Sequence, residues 1–204
     1  FPQSIILCGL RDVRDYRIHT AHHEIITGGS AFNIKAKSLR LGSFTEAEVA
    51  ALYAQHIADT GQAFVPEMFS ELWADSRGQP WLVNALGYEL TWEDKAARDR
   101  MVPLTLEHYK AARERLIQSR ATHLDQLTDK LKEARVHRVI SSLLDSESSH
   151  PNFQEDDVEY VRDLGLICRE INGEITIANR IYQEIIPRVL SWGPQMGITE
   201  QRIW

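Results

Sequence analysis

Apolar residues recur at helical spacing along most of this chain, and the clearest of the helices they predict opens at Thr45. Its hydroxyl is placed to cap the helix. Glu48 stands at the third helical position to complete a capping box, and Phe44 and Val49 flank the first turn as a hydrophobic staple. Val49, Leu52, Tyr53, His56 and Ile57 then share one face, on which His56 reads as a packed side chain, and Gly61 ends the helix. A short helix over Pro66–Ala74 follows, with Met68, Phe69, Leu72 and Trp73 as its core stripe. Gly78 is placed to cap the C-terminus of this segment, and Pro80 to open a further helix through Leu82, Val83, Leu86 and Leu90. Thr105–Ser119 turns Leu106, Tyr109, Leu116 and Ile117 inward. The same spacing predicts helices over Thr122–Lys132, Val136–Leu144 and Gln154–Leu164, the last closed by Gly165.

Two stretches break this rhythm. Ser4-Ile5-Ile6-Leu7-Cys8-Gly9-Leu10 is continuously apolar, the pattern of a strand buried on both faces of a parallel sheet. One strand is no sheet, and the chain begins at Phe1, so the expectation is the back part of a longer protein whose other strands precede it. Leu166–Ile171 and Glu174–Ala178 flank Asn172-Gly173, a strong hairpin signal. Helices followed by such a hairpin spell a winged helix, after which Asn179 can cap a last helix running to Leu190, bent or interrupted at Pro187. Between these features, His19–Lys35 is turn-rich and reads as a long loop, and Lys37–Leu41 as a short strand or extended link.

Composition changes this picture little. Of 204 residues 43% are hydrophobic and 25% charged, within the range of folded globular chains. No apolar run approaches the ~18 residues of a membrane helix, and a signal peptide is not evident, so no membrane partner and a cytoplasmic location are expected. The net charge of −6 provides no overall field for nucleic acid. The two cysteines, Cys8 and Cys168, each lie in an apolar run and read as buried thiols. His19, His22, His23 and Glu24 crowd a polar loop without a second ligand group, so no metal site is expected.

Candidate chemistry concentrates at two places. Gly78-Gln79-Pro80-Trp81-Leu82-Val83-Asn84 forms an elbow between helices, where exposed amides beside the Trp81 indole could meet a nucleotide; a purely structural elbow needs only the Gly and Pro. Arg11 and Arg14 follow the apolar strand at the end where open α/β sheets hold their ligands, although an Arg–Asp network on a solvated loop accounts for them equally well. The winged helix itself argues against DNA. The helix before the hairpin carries Glu155, Asp156, Asp157, Glu159 and Asp163 against Arg162, which a phosphate backbone repels. Arg135, His137 and Arg138 offer a small basic patch that a solvated helix face explains as well.

Taken in order, these pieces resemble the C-terminal portion of P-loop ATPases of the AAA+ and STAND type, and more closely the bacterial AAA-like ATP-binding proteins. The similarity rests on Gly9-Leu10-Arg11-Asp12-Val13-Arg14-Asp15-Tyr16, on Leu39-Arg40-Leu41 before Phe44-Thr45-Glu46-Ala47-Glu48, on the Gly-x-Pro elbow running through Leu86, and on Asp163-Leu164-Gly165-Leu166-Ile167. The resemblance implies a mainly α fold with a small β component. Residues 1–41 would end an incomplete α/β core, 42–120 would form a helical lid, 121–192 a winged helix, and 193–204 a C-terminal tail. It implies that Arg11 senses the terminal phosphate, that Pro80 packs on adenine with Gly78 and Trp81 beside it, and that Asn179 and Arg180 stand where relatives carry a phosphate-contacting Met-His-Asp. ATP or ADP with Mg²⁺ is then the cofactor of the intact parent, bound weakly at best by this portion alone. The partners implied are an upstream P-loop core and a protein effector. No Gly-x-x-x-x-Gly-Lys-Ser/Thr and no acidic Mg²⁺-binding strand end occur, so these residues alone are expected to be catalytically silent, whereas the parent would be an ATPase. The expected role is a nucleotide-sensing lid and winged helix acting as a switch. The rival readings are a protein-interaction winged helix and, behind it, a DNA-binding one.

Overall fold

The computed structural model describes residues 17–19, 25–27, 41–119, 127, 129–145, 154–170 and 172–200, the last ten by their backbone alone. The chain divides into a unit Phe1–Gly42 and a unit Ser43–Trp204. The strand expected at Ser4–Leu10, Cys8, Arg11, Arg14 and the link over residues 37–40 lie outside the described residues.

In the first unit, β1 (Arg17–His19) pairs antiparallel with β2 (Ile25–Thr27), Ile18 opposite Ile26. This corrects the loop expected from His19 onward. β-branched residues favour extended pairing, and here they outweigh the turn-rich composition around them.

The second unit is mainly helical. α1 (Glu46–Thr60) begins with the expected capping box: the Glu48 amide donates to Thr45 Oγ1 at 3.3 Å and the Thr45 amide to Glu48 Oε2 at 2.7 Å. Gly61 closes α1 in the left-handed region at φ 72°. Its buried face is narrower than the periodicity suggests. Val49 and Tyr53 are core residues, but Leu52 and Ile57 are exposed because no helix among the described residues covers that side. His56 is half-buried, edge-on to Phe64 and within 3.0 Å of Gln62 Oε1.

α2 (Glu67–Ser76) and α3 (Pro80–Tyr88) meet at the elbow, and α3 gives way to a π-helical turn, Glu89–Glu93, that buries Leu90. α4 (Leu106–Gln118) starts at a second capping box, Thr105 with His108, and buries Tyr109, Ala112, Leu116 and Ile117. Residues 129–131 continue the helical course and Leu131 is buried, while most of the helix expected over Thr122–Lys132 lies outside the described residues. α5 (Ala134–Leu144) packs on α6 (Glu155–Asp163).

β3 (Ile167–Arg169) pairs antiparallel with β4 (Ile175–Ile177), confirming the hairpin. Its connection is one residue longer than the two-residue turn that Asn-Gly suggests. The Glu170 amide donates to the Glu174 carbonyl at 2.8 Å, and Gly173 adopts φ 86°, as in three-residue hairpin loops that end on a left-handed residue. Cys168 is half-buried, a correction to the buried thiol expected, since it lies on the outer side of this two-stranded ribbon with Sγ 3.2 Å from Thr176 Oγ1. α7 (Arg180–Glu200) runs past Leu190 and through Pro187, which corrects the expected end of the last helix. A proline removes one helical hydrogen bond but leaves those on either side intact. α2 and α7 pack together across the division expected near residue 120.

Candidate functional site

The elbow is built from spent hydrogen bonds. Ser76, fully buried, donates its hydroxyl to the Leu72 carbonyl at 2.7 Å and accepts the Gly78 amide at 3.2 Å. Arg77 takes the helix C-cap that was expected at Gly78, in a left-handed conformation at φ 47°, and Gly78 follows at φ 71°. A non-glycine residue in that region costs about 1 kcal/mol, which the two flanking elements hold in place. The Gln79 side chain caps α3 by accepting the Leu82 amide at 2.6 Å, with Pro80 at the first helical position as expected. The Gln79 amide is taken by the Ser76 carbonyl at 2.9 Å. The amides of Gly78, Gln79 and Leu82 are therefore already bonded within the chain. Trp81 is half-buried against the core, and Pro80 and Asn84 are exposed.

The indole that lines a cleft beside the elbow is Trp73, one turn before Arg77 and half-buried against the core. A Cβ placed on Gly78 would stand 3.0 Å from Trp73 Cζ3, so this ring covers the glycine on one side. On its other side it lines this cleft of about 440 Å³. α2 and its C-cap contribute Trp73, Ala74 and Arg77 to this cleft, the hairpin contributes Glu170 and Thr176, and α7 with its N-cap contributes Asn179, Arg180 and Gln183. Two of the residues singled out in the sequence, the consecutive Asn179 and Arg180, line this cleft, as does Arg77. Gly78, Pro80 and Trp81 do not line the cleft.

Asn179 carries the chemistry of the cleft. It is 2% exposed and caps α7 by accepting the Tyr182 amide on Oδ1 at 2.9 Å. That bond fixes the amide's orientation, and Nδ2 is left buried without a hydrogen-bond partner. A buried donor in this state costs about 1–3 kcal/mol. The guanidinium groups of Arg77 and Arg180 supply positive charge, and the first turn of α7 adds the favourable end of its dipole. Both arginines already have carboxylate neighbours. Arg180 Nη1 lies 2.9 Å from Glu71 Oε2, and Arg77 Nη2 lies 3.7 Å from Glu170 Oε1. All four of these side chains are 41–55% exposed, so each pair contributes at most about 1 kcal/mol and can exchange partners.

A firmer network lies behind the cleft. Asp75 Oδ2, on α2, accepts from the Tyr109 hydroxyl at 2.8 Å and from Arg113 Nε at 3.0 Å, and Arg113 Nη2 donates to Glu184 of α7 at 2.8 Å. Burial works against the Arg113 charge, but hydrogen bonds to Glu184 and Asp75 outweigh it and leave its pKa above the ordinary guanidinium value. Burial, followed by the charge of Asp75, pushes the Tyr109 hydroxyl far above a normal phenol. This network holds α2, α4 and α7 in register.

The basic patch is paired within its own unit, although Arg135 and Arg138 remain 43 and 61% exposed. Arg138 Nε pairs with Asp157 at 3.6 Å, Arg135 stacks on the Tyr160 ring and pairs with Glu133 at 3.7 Å, and His137 Nδ1 is 3.3 Å from Ser141 Oγ. On the acidic helix α6, Glu155 and Glu159 pair with Arg169 and Arg162.

Sequence reasoning missed Trp73, Arg77, Glu170, Thr176 and Gln183 as cleft residues. For two of them a local signal existed: Trp73 and Arg77 are four residues apart and share a face at the end of α2. Among the described residues there is no cluster of His, Cys, Asp and Glu able to hold a metal ion, and no helix long and apolar enough to cross a membrane. Comparisons of the chain with protein-family models, with curated proteins and with solved structures found no match.

Proposed function

We propose that residues 43–200 act as the sensing part of a nucleotide-dependent switch, in which a helical lid and a winged helix of the AAA-like or STAND type respond to the phosphate end of ATP or ADP. The observation that carries this reading is a cleft lined by Arg77 and Arg180 at the start of α7, with Asn179, whose Nδ2 is buried without a hydrogen-bond partner, in its wall. An anionic oxygen is the acceptor that this donor and these cations favour, and Trp73 offers a flat face beside them. In this reading the chain is not an enzyme by itself, since phosphate transfer needs the amide cradle, lysine and Mg²⁺ ligands that its sequence lacks. Those belong to a P-loop core in the parent ATPase. Arg11 acts there as the phosphate sensor, and Gly78 shapes the elbow that brings α2, and with it Trp73, to the nucleotide. Pro80 and Trp81 would then serve the lid's packing more than the adenine.

The test is titration of the 204-residue chain with ADP and with pyrophosphate, followed by NMR of the side-chain amides and indoles. Weak binding that shifts the Asn179 and Trp73 signals is expected. Asn179→Ser retains an oxygen to cap α7 but replaces the amide donor with a shorter hydroxyl, so it should weaken binding about tenfold at similar thermal stability. Shifts confined to other regions would overturn the assignment.

The second reading, a protein-interaction module, is favoured by one observation. Tyr88, Trp92 and Met101 are 49, 51 and 88% exposed in the segment around the π-helical turn. The two readings are compatible, with the switch reporting to a protein effector. A DNA-binding role ranks third because Arg135 and Arg138 are engaged with acidic or aromatic neighbours of the same unit.

A further inference from the structure

The two ion pairs beside the cleft are reciprocal. α2 supplies an acid, Glu71, and, six positions on, a base, Arg77; across the cleft α7 supplies the base Arg180 and the hairpin supplies the acid Glu170. One pair therefore ties the end of α2 to the hairpin and the other ties α2 to α7, and each uses one of the two arginines that an anion in the cleft would engage. We infer that Glu71 and Glu170 compete with the cleft's anion for Arg180 and Arg77, a carboxylate clasp that an entering phosphate group must displace. This inference rests on the reading of the cleft as a phosphate site.

The exchange conserves charge pairing. The phosphate takes Arg77 and Arg180, and the two released carboxylates, already 41 and 43% exposed, pass into water. The ties that remain between α2 and α7 are then the apolar packing of the two helices and the bridge through Arg113, whose partners Asp75 and Glu184 are 4 and 28% exposed in their side chains. The more exposed pairs yield first because solvent competes for them most effectively. Ligand binding and loosening of the clasp are thereby coupled, and by linkage any partner that draws Glu71 or Glu170 away raises affinity for the anion.

The experiment uses the intact chain with inorganic pyrophosphate as the probe. Its affinity is measured for the wild type, for Glu71→Gln, for Glu170→Gln and for the double variant, with melting curves to show that each is folded. A double substitution of exposed acids elsewhere, Glu46→Gln with Glu107→Gln, controls for net charge. The clasp predicts that each single variant binds about two- to fivefold more tightly than wild type, the double variant more tightly still, and the control within about twofold. Equal affinity across wild type and clasp variants, or an equal gain in the control, would overturn the clasp while leaving the cleft as an anion site. No binding to any variant would overturn both.

Discussion

Phe44 and Gly78 are locked backbone to backbone. The Phe44 amide donates to the Gly78 carbonyl at 2.8 Å, and a Cβ on Gly78 would stand 1.9 Å from the Phe44 carbonyl oxygen. The chain entering α1 is thereby pinned to the end of α2. Gly78→Ala adds both a steric overlap with main chain and the strain of a left-handed residue. It should destabilise the protein by about 3 kcal/mol or more, measured by urea denaturation. A loss under 1 kcal/mol would show that α1 can shift away freely.

Arg113 is the central member of the network behind the cleft. Arg113→Ala strands the 3%-exposed Asp75 with Tyr109 as its remaining side-chain donor, a loss of about 3 kcal/mol. Tyr109→Phe removes one hydrogen bond and should cost about 1–2 kcal/mol. The double variant should cost less or more than the sum of the two, since both act on the same Asp75 oxygen, and a double-mutant cycle measures the difference. Strict additivity would contradict the shared acceptor.

Gln62 fastens the segment after the π-helical turn. Fully buried, its Nε2 donates to the carbonyls of Ala97 at 2.8 Å and Val102 at 3.1 Å, and its Oε1 accepts from Arg100 at 2.9 Å. Gln62→Leu should cost about 3 kcal/mol and raise amide hydrogen exchange selectively in residues 94–103. Uniform acceleration across the unit would indicate global unfolding.

Glu133 introduces a pH dependence. Burial raises its pKa, but hydrogen bonds from Lys130 and Tyr160 outweigh this and leave it below the ordinary value of 4.5. A lowered folded-state pKa contributes stability that is present above about pH 4.5 and is lost as pH falls through the folded value. Glu133→Gln should therefore flatten the stability profile at acid pH while costing about 1 kcal/mol at neutral pH. An unchanged acid limb would remove Glu133 as a contributor.

The local signals in the chain translated well where they involve neighbours in sequence. Thr45 with Glu48, Gly61, Pro80 and Asn179 each settle a boundary through bonds spanning a few residues and are found where the pattern places them, and the hairpin around Asn172-Gly173 forms with a loop one residue longer. Misreadings arose where a distant element decides. Leu52 and Ile57 sit on the apolar stripe of α1, but whether a stripe is covered depends on which helix packs there.

By itself the sequence determined the helical periodicity, the caps, the hairpin and the mainly α character of the second unit, because each rests on contacts within one turn or one reverse. Only tertiary structure decided the cleft. Trp73 and Arg77 meet Glu170, Asn179 and Arg180 about a hundred positions away, and no periodicity encodes that meeting. It follows from the packing of α2 on α7 and from the bridge between Asp75, Arg113 and Glu184, which set side chains from remote stretches around one buried amide.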